Sequence, residues 1–179
     1  MQKRPSISSA KAILATLWRE KELTREKIKK HRYTVQLCAS KSDVTFRGSL
    51  MRLLDSQMIN VSSYGLYTLN DKARNKAAMS FIDVESRLNT SKANRWDGGW
   101  RIIMFNIPEG ERFHRDRLRY AIRVAGFKQV QSGIWAYPYP VPPFLKTIFS
   151  EEPIKSHIRF ITSKRVERDS DLKKIFNLK

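Results

Sequence analysis

Two groups of arginines stand at spacings that suit a polyanion. In the segment 43–55, Val44, Leu50, Leu53 and Leu54 repeat at helical intervals, and Thr45, Arg47, Ser49 and Arg52 lie between them. A helix there buries its apolar residues and exposes those four polar ones. Arginine can form a bidentate pair of hydrogen bonds with guanine, and a Thr or Ser hydroxyl can bond a base edge or a phosphate. Lys41, Tyr64, Lys72 and Arg74 flank that helix and suit phosphate contacts, which set register without reading sequence. Farther along, Arg112, Arg115, Arg119 and Arg123 fall within one arc of a second helix. That basic stripe serves equally as a phosphate-contacting surface or as a solvated helix face.

Other chemistry finds little support. His31, His114 and His157 are widely spaced, and none stands at metal-ligand spacing from another His or a Cys pair. His114 falls beside the apolar face of its helix and reads as an edge-of-core residue. The single cysteine, Cys38, excludes an intrachain disulfide and a multi-cysteine zinc site, and reads as a small buried residue. There is no Gly-rich phosphate loop, no nucleophile elbow and no zinc-protease helix. Trp135, Tyr137 and Tyr139 can stack on bases, although aromatics at alternating strand positions more often belong to a core or an interface. No cofactor and no metal are implied.

The charge agrees with a polyanionic partner. The 179 residues carry 35 Lys and Arg against 17 Asp and Glu, a net charge of +18. Residues 1–95 hold 19 against 8, a net of +11, and residues 96–179 hold 16 against 9, a net of +7. Both halves are basic, so the charge is not a detachable tail, and nucleic acid is the first candidate for such a field. A membrane surface would need a helix with a broad apolar face left over after core formation, and none is found. The longest apolar runs, such as Ile102–Phe105, are far too short to span a bilayer. Met1-Gln2-Lys3-Arg4-Pro5 is not followed by the apolar stretch of about 7–15 residues that marks a secretory signal. No membrane partner and a cytoplasmic location are expected.

These residues need elements to position them. Residues 8–21 form a helix on Ala12, Ile13, Ala15, Leu17 and Trp18, with Ser8 or Ser9 as its cap. Thr24 opens a second, basic helix, and the context makes Tyr33–Ala39 helical as well. After the helix at 43–55 come strands Met58–Val61 and Leu66–Leu69 about the turn Ser62–Gly65, then a helix over 71–88. Helix, helix, helix, hairpin is the order of a winged helix-turn-helix, whose third helix lies in the major groove. Gly48 weakens that helix by about 1 kcal/mol relative to alanine. The same scaffold can instead serve protein contact.

The second half opens with strand Trp100–Ile107, stopped by Pro108. A helix from Glu111 buries Leu118, Ala121, Ile122 and Ala125 on one face. A hairpin about Ser132-Gly133, a short helix at Phe144–Phe149, a strand at His157–Ile161 and a last helical turn at Leu172–Phe176 follow. Strand, helix, strand, strand, helix, strand is the ferredoxin-like order. Its two helices cover one sheet face and leave the other apolar, which favours an isologous homodimer through the C-terminal domain. The fold class is thus α+β: a winged helix DNA-binding domain over 1–90, a linker over 91–95 and a ferredoxin-like dimerisation domain over 96–179.

Four spaced motifs carry a family likeness. Trp96-Asp97-Gly98-Gly99-Trp100, Met104-Phe105-Asn106-Ile107-Pro108-Glu109, Arg115-Asp116-Arg117-Leu118-Arg119, and Gly126-Phe127 with Gln131-Ser132-Gly133-Ile134-Trp135 resemble the PaaX-like transcriptional regulators. The central domain of that family resembles the small CRISPR-associated Cas-two nucleases. The closing Phe176-Asn177-Leu178 resembles the same domain, and the first half fits the family's winged helix in order and size. The resemblance implies a dimeric repressor that occupies operator sites in double-stranded DNA. The family's founding member responds to phenylacetyl-coenzyme A. Longer members carry a further C-terminal domain, and this chain ends where that domain would begin, so a small-molecule effector is not carried over.

Asn106 is the second departure. The Cas-two-like nucleases hold a divalent metal with an Asp at the end of the first strand, and Asn106 stands there, a neutral and weaker ligand for Mg²⁺. Asp97, Glu109 and Asp116 are poor substitutes. A non-enzymatic regulator is therefore expected. A Cas-two-like nuclease, or an inactive nucleic-acid-binding relative of one, is the alternative.

Overall fold

Polar residues punctuate the first unit and apolar stripes orient its helices. In the computed structural model, which describes residues 7–38, 43–88, 96–151 and 153–178, Ser8 accepts a hydrogen bond from the Lys11 N–H and starts α1 (Ser9–Glu20). Lys21, at φ 69°, ends it. Thr24 closes a three-residue strand, β1 (Glu22–Thr24), and caps α2 (Arg25–Lys30). There follow α3 (Arg32–Cys38), α4 (Asp43–Asp55), the hairpin β2 (Ile59–Val61) and β3 (Leu66–Leu69), and α5 (Arg74–Leu88). The three strands form an antiparallel sheet in the order β1-β3-β2. Lys41, the side chain of Cys38 and residues 91–95 lie outside the described residues.

The core of this unit joins Ile13, Leu14 and Leu17 of α1 to Ile28, Ile59 and Ala77, and to Phe46, Leu50 and Leu53 of α4. Each large buried side chain contributes roughly 2 kcal/mol. Three of them on one stripe fix which side of α4 turns inward, well against the ~1 kcal/mol cost of Gly48. Two expectations are corrected here. Ser49 is buried, 7% exposed, because it lies on the stripe Phe46, Ser49, Leu50, Leu53. Val44, expected in the core, is 79% exposed because it lies on the opposite side of the helix from Phe46. A buried carboxylate ties three helices together: Glu85 of α5 accepts hydrogen bonds from Arg19 of α1 (2.9 Å) and from Arg32 and Tyr33 of α3.

The chain divides into two compact units, 1–88 and 89–179. The second contains β4 (Trp100–Phe105), α6 (Arg112–Val124), β5 (Lys128–Gln131), β6 (Ile134–Tyr137), α7 (Pro143–Phe149), β7 (Ile158–Ser163) and α8 (Ser170–Ile175). Its sheet runs β5-β6-β4-β7 with every pair antiparallel. Each strand–helix–strand crossover therefore skips one strand, which is the interleaved ferredoxin-like arrangement. Gly133 permits the β5–β6 turn: its φ is 73°, and a Cβ there would stand 2.4 Å from the Phe105 carbonyl oxygen.

Alternation along β4 puts Ile103 and Phe105 on one face, with Trp100, Ile102 and Met104 on the other. Ile103, Leu118, Ile122, Leu145 and Ile148 are fully buried. The second face is not left bare, which corrects the expectation of an open apolar sheet. Leu172, Phe176 and Leu178, with Trp96 and Val166, cover Trp100, Ile102 and Ala136. The surface beyond that cover holds Ile161, 42% exposed, with Met104 and Ile134 half-buried. On the inner side of α6, Arg117 is 3% exposed at its side chain and pairs with Glu151. Burial lowers its pKa to about 10. Among the described residues no helix is long and apolar enough to cross a membrane.

Candidate nucleic-acid interface

The inward stripe of α4 dictates its outward face. At about 100° per residue, Val44, Gly48 and Met51 fall within roughly 60° of one another, and Arg47 and Arg52 lie on either flank. Val44 is 79% and Met51 51% exposed, and both arginines face solvent. Among the described residues neither arginine meets a carboxylate. The Arg52 Nε donates to the Gly48 carbonyl at 3.1 Å, which lays that side chain along its own helix. Thr45 is half-buried at the edge of this face, and Ser49 is in the core. Sequence reasoning missed Val44, Gly48 and Met51 as surface. The signal was present in Phe46, whose stripe with Leu50 and Leu53 excludes them from the interior.

The hairpin projects an aromatic tip. Tyr64 is 89% exposed in a turn closed by the Gly65 N–H to the Ser62 carbonyl (2.9 Å), with Gly65 at φ 73°. Lys72 donates to Gln57 Oε1 at 3.0 Å, just beyond the C-terminal end of α4. That is about 20 Å along the helix from Val44. Arg74 is held by Asp71 (2.8 Å) and lines a cleft of about 500 Å³ with Leu17, Trp18 and Lys21. The structure thus brings Arg47, Arg52 and the unforeseen Val44 and Met51 onto one face. Lys72 and Arg74 sit elsewhere, and Lys41 lies outside the described residues.

The α6 stripe carries its own counter-ions. Arg115 pairs with Glu109 at 2.6 Å, and that guanidinium holds the Glu109 carboxyl below its usual range. Arg112 lies 3.7 Å from Asp116. Arg119, half-buried, and Arg123, exposed, meet no carboxylate among the described residues.

Asn106 is exposed at the end of β4, where its N–H donates to the His157 carbonyl at 3.3 Å. The shallow cleft beside it, about 440 Å³, is lined by Ser132, Ser156, His157 and Arg159 and, among the described residues, by no carboxylate. Asp97 is engaged by Arg101 at 2.5 and 2.7 Å, which holds its carboxyl well below the usual range. Hard divalent cations want carboxylate oxygens, so a neutral amide beside an arginine does not fit one. Among the described residues no three His, Cys, Asp or Glu side chains come together for a metal.

Residues 93–175 match the family model of the PaaX protein central Cas2-like domain. The match falls within the second unit, 89–179. In that unit Asn106 directly follows β4, and α6 bears the arginine stripe. A solved structure, the uncharacterized protein Rv0674 from Mycobacterium tuberculosis, is similar at 21% identity over 93% of this chain, with a TM-score of 0.39. The chain spans 65% of that structure's length. No curated protein matches the chain.

Proposed function

We propose that this protein is a sequence-specific, DNA-binding transcription regulator that acts as a homodimer by occupying its site. In this reading the first unit is a winged helix. α1 is its first helix, α2 and α3 (interrupted at His31) take the place of the second, α4 is the third, and β2–β3 is the wing. The third helix of such a unit enters the major groove and the wing rests on the backbone. The observation that carries the reading is the outward face of α4, where Arg47 and Arg52 meet no carboxylate among the described side chains while the opposite face is locked into the core. The +11 charge of the first half and the PaaX-type domain of the second support it. The part of the sheet outside the α8 cover, with Ile161, Met104 and Ile134, supplies the dimer contact. The amide and arginine beside β4 favour binding without cutting.

Selection of bound duplexes from a random DNA pool tests this directly. One enriched inverted-repeat motif is expected, with log affinity falling by about 0.9 per phosphate contact for each tenfold rise in salt. Equal affinity for every duplex would remove the sequence-reading role. Incubation with Mg²⁺ and labelled DNA or RNA should leave the strands intact. Cleavage abolished by changing Asn106 would restore the nuclease reading.

A further inference from the structure

Gly48 has no internal reason to be a glycine. A Cβ built on it meets only the Arg52 Nη2, at 3.8 Å, an ordinary contact. Glycine weakens a helix interior relative to alanine, so the chain carries a local weakness that its own packing does not require. The missing side chain leaves a recess on the outward face. Val44 lies one turn before it, and Met51 and Arg52 one turn after, as residues three and four apart do on a helix. Val44 and Met51 are 79% and 51% exposed, so the recess has apolar walls open to solvent, and Arg47 and Arg52 stand on its two flanks.

Apolar walls of methyl size between two cations describe a particular target. Of the four bases only thymine presents a methyl group in the major groove, and the phosphates on both sides of that groove complement the arginines. We infer that the recess over Gly48 receives the C5-methyl of a thymine, so that α4 reads one T in each half-site. This rests on the DNA-reading role proposed above. Gly48 lets the base approach the helix backbone, Val44 and Met51 cover the methyl, and Arg47 reaches the neighbouring base edge.

The test uses the full chain and the duplex enriched from the random pool, with each thymine of a half-site replaced in turn by uracil, which removes the methyl alone. One position is expected at which uracil weakens wild-type binding about fourfold, the worth of one buried methyl. Gly48→Ala should melt no lower than the wild type, bind the thymine duplex more weakly and show no uracil effect at that position. Val44→Ala should blunt the same effect. Tolerance of uracil at every position, or an undiminished uracil effect in Gly48→Ala, would overturn the inference and leave the DNA-reading role standing. Absence of any enriched duplex would overturn both.

Discussion

Arg47 and Arg52 flank the outward face of α4, five residues apart, whereas Arg112, Arg115, Arg119 and Arg123 form one stripe on α6 at intervals of three and four, and the two helices also differ in what faces those side chains. On α6, Glu109 takes Arg115 and Asp116 lies beside Arg112, so half of the stripe is matched by acid. Among the described side chains of α4 the exposed acid is Asp55, in the last turn, and Arg47 and Arg52 meet no described carboxylate. Exposed ion pairs contribute little to stability, about 0–1 kcal/mol, but they cancel the charge a phosphate would meet. The shorter group is therefore the stronger candidate for contact. α6 also turns a further arginine inward, where Arg117 serves the fold through Glu151.

The largest expected effects separate folding arginines from binding ones. Arg117→Ala leaves Glu151 without its partner and should destabilise the second unit by about 3 kcal/mol, read in thermal or urea melts. Replacing both, Arg117→Met with Glu151→Leu, should recover most of that loss, since apolar substitutes of similar size often match a buried pair. Arg47→Ala should leave melting unchanged and cost the enriched duplex about 2 kcal/mol, roughly thirtyfold in Kd, with little effect on scrambled DNA. A fall in melting temperature with Arg47→Ala, or none with Arg117→Ala, would break the contrast between the two helices.

The legible and illegible parts of the molecule divide along the same line. The helices and the βαββαβ order were readable because Leu118, Ala121 and Ile122, or Leu50 and Leu53, repeat at the helical period, and because Trp100–Ile107 stops at Pro108. β1 was not readable: Glu22-Leu23-Thr24 has no strand pattern and forms because β3 offers its edge. Ser49 and Val44 were misplaced by residue type, because a polar residue can ride a buried stripe and an apolar one can stand outside it. The Arg112–Asp116 pairing follows from i, i+4 spacing. Glu109 precedes its helix, so its grip on Arg115 depends on the turn that places it. The cover over the sheet was hidden for a similar reason. Leu172, Phe176 and Leu178 reveal an amphipathic tail, but not the sheet face on which it lands.

A smaller effect sharpens the comparison within α6 itself. If its stripe meets DNA, Arg123→Ala should reduce the salt slope by about 0.9. Arg115→Ala should reduce it by much less, because Glu109 already takes that charge. Equal changes in slope would mean that the ion pair opens on binding.

The smallest effect is a pH dependence confined to stability. His114 lies on α6 between Arg117, whose Nη2 is 3.2 Å from its Nδ1, and Glu111 at 3.6 Å, with the Phe113 ring beside it. Burial first, and then the Arg117 charge, lower its pKa, and Glu111 only partly offsets them. The folded protein thus prefers the neutral ring more strongly than the unfolded chain does. The associated stability is complete above the unfolded value of about 6.5 and is lost as the pH falls from there through the folded value. His31, which burial also lowers, adds a loss of the same sign in the first unit. In the Arg117→Met, Glu151→Leu protein the arginine contribution is gone, so the acid-side loss in melting temperature should shrink, while the His31 part is common to both proteins and cancels. No histidine lies on the outward face of α4, so affinity of the folded protein for the enriched duplex should stay flat over the same range. A matching acid-side loss of affinity under conditions where the protein remains folded would place a titrating group at the interface and undo the separation between the two helices.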